Sequence, residues 1–147
     1  MVFIFDEKDL IWSFFKLKFV LTKEIQKKLK DFDISPGQWI MLSYIYQDQG
    51  INQKVLAEKF QKDRAEISRL LNKLEEKQLI SKKQNDKDKR EFFVYLTPTG
   101  SDIYKKSAVK IEKLFNNLKN QYKKHDLKEF SHLVSKLNDF LETNDDL

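Results

Sequence analysis

The sequence predicts a mostly α-helical protein of one domain with a small β-hairpin. Three observations predict it. Apolar residues recur at steps of three and four along most of the chain, the period of helices with one buried face. Only three Gly and two Pro occur in 147 residues, which leaves few places to break those helices. The exception is "NDKDKREFFVYLTPTG" at 85–100, where six consecutive charged residues run straight into an apolar, aromatic segment of strand-forming types.

The first helix is read from Leu10, Phe14, Leu17, Leu21, Ile25 and Leu29, a single face widened by Ile11, Phe15 and Val20. That face is broader than a small monomer needs. "MVFIFDEKDLIWSFFKLKFVL" is expected to be neither a leader nor a membrane span, because Asp6, Glu7 and Asp9 replace the expected basic start and Lys16, Lys18 and Lys23 interrupt the apolar run. The expectation is an amphipathic helix in a cytoplasmic protein.

At "ISPGQWIMLSYIY" Ser35 is the N-cap, Pro36 the first helical residue and Gln38 the third, a capping box with proline where it is tolerated. This second helix is expected to run to about Gln49, with Gly50 as its left-handed stop. Asn52 then caps a short helix in which Val55, Leu56 and Phe60 face inward and Ala57 permits close approach. Asp63 and Glu66 form a second capping box, and Ile67, Leu70, Leu71 and Leu74 line one side of the helix that follows. Its other side shows Arg64, Ala65, Ser68, Arg69, Asn72 and Lys73. "LISKK" and "FFVYLT" read as strands flanking the charged segment. The tip between them lacks Asn-Gly or Asp-Gly and is expected to be long and mobile. Two further amphipathic helices follow Gly100, marked by Ile103 to Tyr122 and by Leu127 to Leu141.

Absence of cysteine removes disulfides, thiolate metal sites and cysteine nucleophiles. With two histidines, no glycine-rich phosphate loop and no serine motif, there is no convergent catalytic set, and the protein is expected not to be an enzyme and to need no cofactor. The net charge of +5 is unevenly placed: residues 51–91 carry 12 basic against 8 acidic groups, and residues 129–147 carry 1 against 5. The basic middle points toward a polyanion.

A capped short helix, a capped helix with a basic face and a charged-tip hairpin, in that order, make a winged helix-turn-helix, in which the second helix of the pair enters the major groove and the wing reaches the backbone or minor groove. Arg64 and Arg69 suit guanine edges or phosphates, Ser68 a base or phosphate, and Ala65 a thymine methyl. Arg90 suits a narrow, electronegative minor groove.

On "VLAEKF" at 55–60, "DRAEISRLLNKLEEKQLI" at 63–80 and "DKREFFVYLTPTG" at 88–100, the sequence resembles the MarR (multiple antibiotic resistance regulator) family of bacterial transcription factors. The resemblance implies a winged helix-turn-helix lobe over 35–100, with residues 1–34 and 101–147 supplying N- and C-terminal dimerisation helices. It makes the segment from Asp63 to Lys73 the recognition helix, with Arg64, Ala65, Ser68, Arg69 and Lys73 toward double-stranded DNA. It makes Lys87, Asp88, Lys89 and Arg90 the wing, with the Asp88 carboxylate orienting the Arg90 guanidinium. Two departures are visible: Lys87 stands where many members carry a second arginine, and Gln78 where many carry glycine. The resemblance further implies a homodimer on a near-palindromic operator, repression, and a small-molecule effector pocket. Trp12, Phe15, Phe19, Trp39 and Tyr44 are its candidate walls, although an aromatic stripe at helical spacing is also what an ordinary core looks like. His125, Glu129 and His132 fall near one helical face and read as solvated surface, so no metal is expected. Three functions stay open: a ligand-responsive sequence-specific regulator, a sequence-tolerant DNA-coating protein, and a winged helix used to bind a protein.

Overall fold

A computed structural model describes residues 9–144. The acidic start at Asp6 and Glu7 lies outside the described residues. Helix α1 spans Leu10–Leu29 and begins at Asp9, whose Oδ1 accepts the Ile11 N–H at 3.0 Å. A 3-10 turn, Lys30–Phe32, follows. Helix α2, Pro36–Gln47, opens on the complete capping box read from the sequence: Ser35 Oγ accepts from Gln38 N at 3.1 Å, and Gln38 Oε1 accepts from Ser35 N at 3.0 Å. It ends two residues sooner than expected. Gly50 does take a positive φ, +89°, but spends it on the turn into a strand rather than on closing the helix.

That strand, β1 (Ile51–Asn52), was not foreseen. It pairs antiparallel with β3 (Phe92–Leu96), which also pairs with β2 (Ile80–Gln84), giving a three-stranded sheet in the order β1-β3-β2. Helices α3 (Gln53–Phe60) and α4 (Arg64–Glu76) lie between β1 and β2 in sequence. Asn52 caps α3 through Lys54 N at 2.7 Å. Leu56 and Ala57 are buried in α3, but Val55 is 38% exposed, contrary to its expected inward position: in eight residues only one narrow stripe reaches the core. Both α3 and α4 close on Schellman hydrogen bonds, Lys62 N to Ala57 O and Leu79 N to Leu74 O, with Gln61 and Gln78 in the left-handed region at φ +51° and +59°. Gln78 therefore closes α4 in a backbone region that a Cβ disfavours.

Helix α5, Pro98–Lys119, starts earlier than expected, because Thr97 Oγ1 caps it by accepting from Gly100 N at 3.0 Å. Helix α6 spans Lys124–Thr143. The chain divides into two compact units, up to Val109 and from Lys110 onward. The core of the first is Leu29, Met41, Leu42, Ile45, Leu56, Ile67, Leu71, Leu74 and Val94, all fully buried. In the second, α6 leaves Phe130, Leu133, Leu137, Phe140 and Leu141 exposed. In the first, α1 leaves Leu10, Phe14, Phe15, Leu17 and Phe19 exposed. No described helix is long and apolar enough to cross a membrane.

Candidate nucleic-acid interface

Helix α4 is fixed along one side by Ile67, Leu71 and Leu74, all at zero exposure. With those residues at its inner face, a 100° step per residue turns Ala65, Arg69, Asn72 and Lys73 outward and leaves Arg64 and Ser68 on one flank. Arg64, Ala65, Arg69, Asn72 and Lys73 are exposed and Ser68 is half-buried, so the side chains proposed from sequence share one open surface. The helix starts at Asp63, whose Oδ1 accepts from Glu66 N at 2.8 Å. Only half of the second capping box forms, because the Glu66 carboxylate pairs instead with Lys62 Nζ at 2.9 Å.

Electrostatics favour an anion on this surface. The Glu66 carboxylate is held by Lys62 and that of Glu75 by Lys82, at 2.9 Å each. Among the described residues Arg64, Arg69 and Lys73 enter no ion pair. Their charge is directed to solvent, where it attracts a phosphate backbone.

The wing tip is more ordered than its composition suggested. Asn85 N donates to Glu91 O and Asn85 Nδ2 to Glu91 Oε2, both at 2.9 Å, closing the loop at its base. Asn85 Oδ1 accepts from Lys87 N at 3.0 Å, and Gln84 Nε2 donates to Lys89 O at 2.6 Å. Asp88 Oδ1 accepts the backbone N–H of Arg90 at 2.9 Å. Asp88 thus shapes the turn that presents Arg90, through the backbone amide, while the expectation was that its carboxylate orients the guanidinium. The reason is local: an aspartate carboxylate reaches the amide two residues on and closes an Asx-turn. Lys87, Lys89 and Arg90 are exposed on this frame.

The five aromatic candidates for an effector pocket lie on α1 and α2. Trp12, Phe15 and Phe19 are exposed on α1. Trp39 donates from Nε1 to Ser107 Oγ at 3.1 Å and stands 6.0 Å from Tyr104. Tyr44 meets Phe60 edge-on at 5.5 Å. Both are occupied in packing. A cleft of about 580 Å³ lies elsewhere in the first unit, lined by Lys23, Lys27, Leu29, Lys30, Ile34 and Lys77 among others. His125 pairs with Glu129 at 3.2 Å, and no group of three or more His, Cys, Asp or Glu positioned to hold a metal occurs among the described residues.

Sequence reasoning missed one residue here. Lys82 of β2 donates to Asn72 Oδ1 at 2.6 Å and pairs with Glu75, tying the hairpin to α4. Its signal was a lysine at an inward position of an alternating strand.

The family model described as "MarR family" matches residues 34–92, from just before α2 to the start of β3. The HTH-type transcriptional regulator SarZ of Staphylococcus aureus strain MRSA252 is 33% identical over 134 residues, covering 88% of this chain and 87% of the relative. This chain belongs to the MarR family. The SarZ protein of strain USA300 is 31% identical over the same length. Among solved structures, the Staphylococcus aureus MepR–DNA complex matches with a TM-score of 0.84 at 24% identity, covering 90% of this chain and 98% of that one. PcaV of Streptomyces coelicolor, in complex with its natural ligand, matches at 0.81 with 16% identity, covering 95% and 98%. At these identities the structures bear on the fold alone, and the fold is that of winged-helix MarR regulators. As a MarR-family regulator with a winged helix, the chain is a DNA-binding transcription regulator, and α3 and α4 are the helices of its helix-turn-helix.

Proposed function

We propose that this MarR-family protein works in the cytoplasm as a homodimeric repressor that recognises a near-palindromic double-stranded operator and is modulated by a small-molecule effector. One observation carries the reading. Arg64, Arg69 and Lys73 point unpaired from α4 while the Glu66 and Glu75 carboxylates are paired with Lys62 and Lys82, and a hydrogen-bonded wing displays Lys87, Lys89 and Arg90. Ala65 and Ser68 complete the groove-facing set, and Asp88 holds the wing's shape.

Dimerisation rests on the apolar faces that α1 and α6 each leave exposed, the kind of surface that a second copy covers. Residues 1–34 and 101–147 are the proposed dimerisation segments and 35–100 the DNA-binding lobe. Two copies of α4 then address half-sites about one helical turn apart. The MepR structure with DNA supports the first part of this reading. The PcaV structure with its ligand supports effector response, with Trp12, Phe15, Phe19, Trp39 and Tyr44 as candidate contributors once two protomers combine.

The test is a salt titration of binding, followed by fluorescence anisotropy, to DNA from upstream of the protein's own gene and to a shuffled duplex of equal composition. The expected result is a preference of roughly a thousandfold or more for the upstream DNA at about 150 mM salt, with both affinities falling steeply as salt rises. Equal binding of the two duplexes would replace this reading with sequence-tolerant DNA coating. Binding of neither would leave two readings, a bound effector that holds the protein off DNA or a winged helix whose partner is a protein.

A further inference from the structure

Lys82 occupies a position that strand alternation assigns to the core. It shares a face of β2 with buried Ile80 and stands opposite fully buried Val94 in the ladder. Its side chain is only 17% exposed, and its ammonium ends against α4, 2.9 Å from Glu75 Oε2 and 2.6 Å from Asn72 Oδ1. One cation therefore binds two adjacent turns of the recognition helix to the wing.

The chemistry of the contact sets the orientation of Asn72. An ammonium offers donors only, so the amide oxygen of Asn72 must face it, and the amide nitrogen with its two N–H donors is turned away. Asn72 lies three residues after Arg69 and seven after Ala65, on the exposed face of α4. We propose that Lys82 is a positioning residue for DNA recognition: it fixes the wing against α4 and presents Asn72 to the major groove as a hydrogen-bond donor.

This gives Asn72 a defined preference. A free asparagine reads adenine with both oxygen and nitrogen, whereas one whose oxygen is already engaged favours base edges rich in acceptors, guanine O6 and N7 or thymine O4. The proposal rests on the DNA-binding reading of α4 and adds a specificity device to it. It also separates Lys82 from the surface lysines, because a covered, paired ammonium neutralises no phosphate.

The full-length protein is used to select preferred duplexes from a random-sequence pool. Affinity for the selected duplex is then measured against salt for wild type, Lys82→Met, Lys82→Arg, Asn72→Ala and the Lys82→Met/Asn72→Ala double variant. Lys82→Met is expected to weaken binding about tenfold with an unchanged salt slope, since a lost phosphate contact would lower that slope by about one. Lys82→Arg is expected to restore most of the affinity. In the Asn72→Ala background, Lys82→Met is expected to cost less than about threefold, the non-additivity of a residue acting through its neighbour. A salt slope lowered by about one, equal losses in both backgrounds, or no loss at all would overturn the proposal. A wild type that selects no sequence would instead overturn the sequence-specific reading of α4. In that event the clamp is still decided in the free protein, by whether the Asn72 side-chain NH₂ resonances shift in Lys82→Met.

Discussion

Gly100→Ala sets two physical effects of opposite sign against each other. Gly100 is the third residue of α5, and helix propensity alone favours alanine over glycine inside a helix by roughly 1 kcal/mol. A Cβ at this position, however, would sit 1.9 Å from the backbone oxygen of Leu79 and 2.8 Å from its carbonyl carbon. No rotamer change relieves a clash with backbone. To restore even 3.0 Å, the start of α5 and the segment at Leu79 must separate by about 1.1 Å. That separation pulls on Thr97 N–H to Leu79 O, at 3.1 Å, and on Thr97 Oγ1 to Gln78 O, at 2.7 Å. Overpacking costs about 1–3 kcal/mol and the two hydrogen bonds about 0.5–1.5 kcal/mol each. After subtracting the propensity gain, the expected loss is about 1–5 kcal/mol, a large share of a total stability that is typically about 5–15 kcal/mol. The assay is urea denaturation followed by circular dichroism at one fixed protein concentration, with Gly37→Ala as control. Gly37 also lies in the first turn of a helix, but its nearest neighbour to an added Cβ is Ser35 Oγ at 3.9 Å, so its substitution is expected to be neutral or mildly stabilising. A Gly100→Ala protein as stable as wild type would refute the close-approach argument.

Gln78→Gly is expected to stabilise by about 0.5–1 kcal/mol in the same denaturation assay, because a left-handed φ of +59° strains any residue with a Cβ. A loss of stability would mean that the Gln78 side chain contributes more than its backbone costs. Arg90→Ala is expected to weaken operator binding by about 1–3 kcal/mol in anisotropy titrations while leaving the unfolding midpoint unchanged, since its side chain is exposed on a loop closed by other residues. Unaltered affinity would remove the wing from the interface. Phe15→Lys combined with Phe19→Lys, two residues exposed on α1 at 60% and 68%, is expected to convert a dimer to a monomer in light scattering at micromolar concentration. A dimer that persists would move the interface off that helix.

The parts of this fold legible in the sequence are those decided within a few residues. Ser35, Asn52 and Asp63 each accept the backbone N–H that their residue type promises, and the period of α1 gives both its ends. What escaped depends on partners distant in the chain. Two residues of β1 carry no periodicity of their own, and they are a strand only because Val94 and Phe93 lie beside them. Asn52 announces a cap so plainly that its second role in the sheet is masked. The start of α5 was missed although Thr97-Pro98 repeats the pattern that located Ser35-Pro36, because the strand-like run before it drew the boundary to Gly100. In the site, the outward set on α4 follows from helical period alone, which is why Ala65, Arg69 and Lys73 were found together. Lys82 was not, because its partners Glu75 and Asn72 belong to another element, and only the packed structure brings them within reach.

Asn52 carries a consequence for how such a protein can vary. Its backbone belongs to the sheet, in register with Phe93, and its side chain starts α3. An inserted residue between positions 52 and 53 would break one role or the other, so chain length at this joint is fixed. Between Asn85 and Glu91, whose mutual hydrogen bonds seal the ladder, extra residues add only to the loop beyond the seal. The distal end of the hairpin therefore tolerates insertions and deletions that the joint at Asn52 does not, and they alter how far the hairpin extends without displacing α4.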